Sequence, residues 1–138
     1  KLFCIIYCMN LIKILTAENE NNIEIYNLLE KLFKLIESDN WLVEFLYLEL
    51  NILKSVGYDI NFRDYVVDKN INGQIKYIVV SSQKIIPNFL IDKNISPENL
   101  KDIYNGFSIV GDFLDKTIIK PNNKNYPSSR NDFLNLLK

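Results

Sequence analysis

The sequence predicts a mainly α-helical fold, a helical bundle with a small β-hairpin insertion after its central helix. The first observation is residues 41–58, where apolar side chains recur at steps of three or four and cover more than half of a helix circumference. The second is Asn72-Gly73 between two short apolar runs, because this dipeptide favours a type I′ turn. The third is the length of 138 residues, which suits one domain with a sizeable core. We therefore predict a single domain over 1–138, with the hairpin at about 64–81.

The central helix of this prediction has local signals at both ends. Asp39 or Asn40 can accept a hydrogen bond from a first-turn amide, and Gly57 can take the left-handed conformation that ends a helix. A helix with so wide an apolar surface belongs in the middle of a bundle. The residues assigned structural roles are Trp41, Phe45, Gly57 and Tyr58. The side chains expected to face water are Glu44, Glu49, Asn51, Lys54 and Ser55.

The N-terminal part of the chain predicts two more helices. The first covers about Leu2–Leu15, and the second covers Ile23–Ile36, where Asn21 and Glu24 resemble a capping box. The inward positions of the second helix are Ile25, Leu28, Leu29, Leu32, Phe33, Leu35 and Ile36. Its outward positions, interpreted as solvated only, are Glu24, Glu30, Lys31, Lys34 and Glu37.

The C-terminal part predicts a longer helix and a short final one. Ser96 followed by Pro97 is a typical helix start, with serine as N-cap and proline at the first helical position. Glycine disfavours helix interiors, so we expect a bend near Gly106 or a second helix capped by Ser108. Ser128 or Ser129 can cap the last helix.

Composition excludes several classes of function. Sixteen basic and seventeen acidic residues give a net charge of -1, which provides no long-range attraction to nucleic acid or to an anionic membrane. Histidine is absent, and no phosphate-binding loop or nucleophile-base grouping is present in the sequence. We therefore predict no enzyme activity, no catalytic residue, no cofactor and no metal ion.

Two cysteines and an apolar N-terminal segment indicate the compartment. Cys4 and Cys8 lie one helical turn apart, and we expect two buried thiols, as in a cytoplasmic protein. The segment around them lacks a signal-peptide cleavage site, and Asn10 and Lys13 interrupt a run that is too short to cross a bilayer. We interpret it as a core helix, with no membrane partner.

The segment from Trp41 to Asp59 resembles the signature helix of the RecO family of recombination mediators. The matching runs are Trp41-Leu42-Val43-Glu44-Phe45, Glu49-Leu50 and Val56-Gly57-Tyr58-Asp59. Further resemblances, in the family's order, lie at residues 22–36, 87–90, 106–114 and 127–134. The likeness covers the C-terminal helical domain of that family, and the N-terminal OB-fold domain has no counterpart here. Residues 62–80 contain no cysteine, so the four-cysteine zinc site of some members is not expected.

The resemblance implies a non-enzymatic role in recombinational DNA repair. RecO proteins anneal complementary strands and help to load the recombinase together with RecR, and this chain would supply the partner-docking part. The implied partners are a RecR-like protein and the tail of a single-stranded DNA-binding protein, with weak or no direct binding to DNA. Two alternatives stay open at this point: a helical protein-protein adaptor unrelated to DNA, and a folded remnant without activity.

Four basic residues are the candidate partner contacts. Arg130 is the first candidate, although it can instead pair with Asp132 or with a carboxylate across the bundle. Lys116 and Lys120 lie one turn apart, and Lys124 follows them, so the three can form a basic patch with Arg130. Alternatively, these lysines only favour the C-terminus of a helix.

Overall fold

The structure, a computed structural model, describes residues 1–16 and 22–138. These residues form six α-helices and one three-stranded antiparallel sheet. The predicted fold class, mainly α with a small hairpin after the central helix, is therefore confirmed. The chain divides into two compact units, residues 1–60 with 112–138 and residues 61–111. The single domain over 1–138 stays a prediction.

Four helices belong to the first unit: α1 (Leu2–Leu15), α2 (Ile23–Leu35), α3 (Trp41–Ser55) and α6 (Ser128–Asn135). The first helix has the predicted bounds. It packs against α3 and α6, and α3 packs against α2. The expected central position of α3 is thus confirmed, because it has neighbours on two sides.

The core of this unit is built from stripes of apolar side chains at helical spacing. In α1 the buried residues are Cys4, Tyr7, Cys8 and Leu11, which confirms the two buried thiols. Phe45 of α3 lies edge-on to two rings, Tyr7 at 6.3 Å and Phe133 at 5.4 Å between ring centroids. Edge-to-face contacts of this kind add to the apolar area that the rings bury.

The two ends of α3 differ in how well they were predicted. At the C-terminal end, Gly57 has a φ of 99°, and the amides of Gly57 and Tyr58 donate to the carbonyls of Lys54 and Leu53. This is a Schellman motif, so the left-handed glycine is confirmed. At the N-terminal end, which lies within the described residues, the side chain of Asn40 accepts no capping hydrogen bond. The amide of Trp41 donates to the Ser38 carbonyl instead.

Helix α2 begins at Ile23 as predicted, and its N-cap is Asn22, one residue after the Asn21 of the predicted capping box. Asn21 lies outside the described residues, and the side chain of Asn22 accepts a hydrogen bond from the Ile25 amide at 3.1 Å. The inward position of Phe33 was predicted wrongly, since its side chain is 61% exposed. The residues that α2 buries are Ile25, Leu28, Leu32 and Leu35. Phe33 lies one residue beyond that stripe and so points away from it.

The second unit contains the hairpin. A 3₁₀ turn (Phe62–Tyr65) leads into β1 (Val66–Ile71), which pairs antiparallel with β2 (Gln74–Val79). Asn72 and Gly73 between the strands have φ values of 53° and 81°, as a type I′ turn requires. The hairpin is confirmed, and a two-residue strand β3 (Ile85–Ile86) extends it on the side of β2.

Helices α4 (Asn88–Ile91) and α5 (Leu100–Leu114) follow the sheet. The start of α5 was predicted three residues too early, because the Asn99 side chain, and not Ser96, accepts a hydrogen bond from the Asp102 amide. The predicted second helix capped by Ser108 is also wrong, since α5 continues through Gly106 and Ser108. The change of helical pitch comes later, in a π-helical turn at Asp115–Ile119.

Candidate partner-binding site

Arg130 lies in the first turn of α6, and its side chain is 1% exposed. Arg130 is therefore buried, away from the surface that a direct partner contact would need. Its guanidinium donates two hydrogen bonds to the carboxylate of Glu49, from Nε to Oε1 at 2.9 Å and from Nη2 to Oε2 at 3.2 Å. Of the two pairings that the sequence left open, the one across the bundle is present. A guanidinium in this position does not present its charge to a partner.

Glu49 is the centre of a buried polar cluster that joins three elements. Its carboxylate is 0% exposed, so the expectation that it faces water is wrong. The Tyr7 hydroxyl of α1 donates to Oε1 of Glu49, and Nη1 of Arg130 donates to the Tyr126 hydroxyl at 2.9 Å. The Arg130 guanidinium also lies 5.6 Å from the centroid of the Tyr7 ring. We call Tyr7, Glu49, Tyr126 and Arg130 the buried polar cluster.

The electrostatics of the buried polar cluster favour a charged guanidinium and neutral tyrosines. Burial by itself disfavours the charged form of Arg130, but Glu49 opposes this, and the pKa of Arg130 lies above its usual value. Burial and the Glu49 carboxylate raise the pKa of Tyr7 well above 10.0. A charge pair without water is stable only when its other hydrogen-bonding positions are filled, and here the two tyrosines help to fill them. The cluster therefore acts as a structural connection between α1, α3 and α6.

The sequence contained a signal for this cluster that our reasoning missed. Glu49 lies four residues after Phe45 and three before Ile52, both of which are core positions. A carboxylate inside an apolar stripe needs a buried cation, and the chain has only two arginines, Arg63 and Arg130. Because Arg63 is exposed, Arg130 is the arginine that meets this requirement.

The three lysines of the predicted basic patch are exposed, and the charge of one of them, Lys120, is partly offset. Lys120 forms an ion pair with Asp115 at 2.8 Å, and this hydrogen bond raises the pKa of Lys120. Lys116 lies inside the π-helical turn, and the amide of Lys124 donates to the Ile119 carbonyl at 2.9 Å. With Arg130 buried, the patch is reduced to these three lysines and stays a prediction.

A groove between α2 and α3 is a second candidate surface. It has a volume of about 390 Å³, and its lining residues are Lys31, Lys34, Leu35, Ser38, Glu44, Tyr47, Leu48 and Asn51. Leu35 and Leu48 are buried and form the floor, and the two exposed lysines belong to the α2 wall. Glu44 accepts a hydrogen bond from Ser38 at 3.3 Å. The groove thus combines an apolar floor with a rim that carries Lys31, Lys34 and Glu44, and the sequence had indicated the two lysines only as a solvated face.

Comparison with protein families identifies the chain. The family model described as Recombination protein O C terminal matches residues 1–101, which is more than half of the sequence. The chain belongs to the RecO family. This membership favours DNA recombination and repair over an adaptor unrelated to DNA. The search of curated proteins and the search of solved structures each found no match.

Two findings on the RecO chain bear on its binding chemistry. Among the described residues, no group of three or more His, Cys, Asp or Glu side chains is arranged to hold a metal ion. In the same part of the chain, no helix has the length and apolar character needed to cross a membrane. Near the start of the signature helix this chain has Val43 and Glu44. The basic residues beside that part of α3 are Lys31 and Lys34 of α2.

Proposed function

We propose that this chain acts without catalysis in recombinational DNA repair, as the partner-docking part of a RecO-type mediator. Its role is to hold the protein partners while complementary strands are annealed and the recombinase is loaded. Membership of the family over residues 1–101 supports this role. The partners are a RecR-like protein and the tail of a single-stranded DNA-binding protein, and the compartment is the cytoplasm.

The groove between α2 and α3 is our proposed site for that tail. The observation that carries the proposal is the combination of two exposed lysines with a floor of buried leucines. An acidic and apolar peptide fits this chemistry, because its apolar side chains leave water at the floor while its carboxylates lie beside Lys31 and Lys34. The patch of Lys116, Lys120 and Lys124 is the competing site.

A peptide-binding measurement separates these two sites. A fluorescent peptide with several aspartates followed by apolar residues, copied from such a tail, is titrated with the full chain at low and high salt. We expect Lys31→Glu combined with Lys34→Glu to weaken binding by at least about tenfold, and added salt to weaken it as well. The matched control is Lys116→Glu combined with Lys124→Glu, which changes the net charge by the same amount.

The outcomes are distinct. Loss of binding only in the Lys31 and Lys34 variant supports the groove, and loss only in the control variant moves the site to the lysine patch. No binding at high micromolar peptide would remove tail docking altogether. The RecR-like partner is tested separately, by sedimentation velocity of the mixed proteins.

We propose that this chain binds DNA directly only weakly or not at all. A net charge of -1 provides no long-range attraction to the phosphates, so we expect few Lys or Arg contacts with them and little affinity from counterion release. We expect a gel shift only at high protein concentration and low salt. A tight gel shift that salt does not change would contradict this reasoning.

A further inference from the structure

One face of the three-stranded sheet carries exposed apolar side chains. The antiparallel register pairs Val67 with Ile78, and Ile78 with Ile85, so these three side chains share a face. The hydrogen bond from the Val80 amide to the Tyr65 carbonyl extends this register beyond the strand ends, and on that basis we include Tyr65 and Val80 in the face. Exposure is 51% for Tyr65, 52% for Val67, 57% for Val80 and 50% for Ile85. We call these residues, with Ile78, the exposed sheet face.

Two lysines extend the exposed sheet face toward the turn. Lys69 and Lys76 are directly opposite each other in the register, two residues beyond Val67 and Ile78. Like charges in this arrangement destabilise a strand pair. Asp68 is next in sequence to Lys69, but successive residues point to opposite faces. Among the described residues, no carboxylate forms an ion pair with either lysine, and the half-buried Lys76 shares a pocket with Glu98 and Asp102, so the exposed Lys69 is the lysine more open to a partner.

The backbone beside this face is also available for pairing. β1 is an outer strand of the sheet, in the order β1-β2-β3. The Val80 amide donates to the Tyr65 carbonyl at 3.0 Å, which fixes the alternation of hydrogen bonds along the ladder. By this alternation the N–H and C=O groups of Asp68 and Asn70 point away from β2. An edge of this kind can accept a further strand.

We propose that β1 binds an extended segment of a partner protein that carries an apolar side chain and an acidic side chain two residues apart. Added beside β1, such a segment places its apolar side chain next to Val67 and its carboxylate next to Lys69, with Lys76 one strand further on across β1. The charge of the two lysines selects this occupant over a second copy, because edge-to-edge pairing of two hairpins would bring four lysines onto one face. This surface lies in the 61–111 unit and shares no residue with the groove between α2 and α3.

The first test uses two labelled peptides of equal composition with the full chain. In one, valine and aspartate alternate with intervening threonines, so that valine and aspartate share a face. In the other, valine and aspartate are adjacent, so that they project to opposite faces. We expect the first peptide to bind at least about tenfold more tightly, and salt to weaken its binding. Equal affinity for the two peptides, or no binding of the first, would overturn the proposal.

The second test changes the edge itself. Asp68→Pro removes an outward N–H and leaves the β1–β2 hydrogen bonds in place, whereas Asp68→Ala keeps that N–H. We expect the proline variant to bind the first peptide at least about tenfold more weakly than the alanine variant. Equal binding rules out strand addition. If the proline variant does not fold, as judged by circular dichroism, Lys69→Glu combined with Lys76→Glu replaces it, and unchanged binding in that variant overturns the proposal.

Discussion

At the scale of single residues, the pair of Glu49 and Arg130 has the largest consequence for stability. Both side chains lie in the core, with exposures of 0% and 1%, and they connect α3 with α6. Removing one partner leaves the other charge buried without compensation, which typically costs about 3–5 kcal/mol. The packing of α6 against α3 therefore depends on both residues of this pair.

The first prediction is that Arg130→Ala lowers the free energy of unfolding by about 3–5 kcal/mol. The measurement is urea denaturation followed by circular dichroism. Glu49→Leu combined with Arg130→Met should cost less than either single truncation, because no charge is then left unpaired. Lys116→Ala, an exposed control, should change stability by less than about 0.5 kcal/mol. A loss below about 1 kcal/mol for Arg130→Ala would contradict the buried pair.

The second prediction concerns the hydroxyl of Tyr7. Tyr7→Phe keeps the ring against Phe45 but removes the hydrogen bond that the hydroxyl donates to Glu49. A hydrogen bond to a charged group contributes about 1.5–3 kcal/mol, so we expect a loss in that range. Tyr126→Phe is the matched control, since this half-buried hydroxyl accepts from Arg130 and can be replaced by water. A loss for Tyr7→Phe no larger than for the control would argue against the central place of Tyr7.

These residues also mark what sequence reasoning could not resolve at this scale. The apolar stripe of α3 predicted Phe45 as a core residue, because that inference needs only the spacing along one helix. Burial of Glu49 depends on Arg130, which is 81 residues away in sequence. A pattern within one helix holds no information on such a partner, so Glu49 was expected at the surface and the pairing of Arg130 across the bundle was only one of the alternatives left open.

At the scale of elements, local signals predicted the fold best where one residue fixes the backbone. Asn72-Gly73 and Gly57 adopt positive φ values, as expected, because few other residues do so without strain. The start of α5 was misplaced because Ser96-Pro97 and Asn99 both offer capping chemistry, and the sequence alone does not rank them. The expected second helix at Ser108 does not form because packing outweighs the weak helix propensity of Gly106.

The third prediction tests the end of α3. Gly57→Ala should lower the free energy of unfolding by about 1–2 kcal/mol, since a side chain in the left-handed region is strained. No heavy atom beyond its chain neighbours lies within 4 Å of a Cβ built at Gly57, so the strain comes from the backbone and not from a clash. Gly57→Asn should cost less, because asparagine tolerates this conformation. Equal losses for alanine and asparagine would contradict a purely conformational cause.

At the scale of the whole molecule, the fold class was predictable because periodic patterns and turns determine most elements. The family was predictable from the order of several weak segments, and the match over residues 1–101 confirms it. The surfaces were not predictable, because the groove between α2 and α3 and the exposed sheet face each combine residues from different elements. Lys31 and Leu48, for example, line one groove but lie on separate helices.

The last prediction concerns stability at alkaline pH. Burial raises the pKa of the Cys4 thiol from 9.0 to about 12, and it also raises the pKa of Cys8 and that of Tyr7. In the unfolded chain these groups lose their protons from about pH 9 upward, while the folded chain keeps them. The stabilisation from the neutral groups is therefore complete below pH 9 and declines as pH rises toward 12. Urea midpoints measured between pH 7 and pH 11 should fall above pH 9. Cys4→Ala combined with Cys8→Ala should make that fall shallower, and an unchanged profile in this variant would exclude the thiols as its cause.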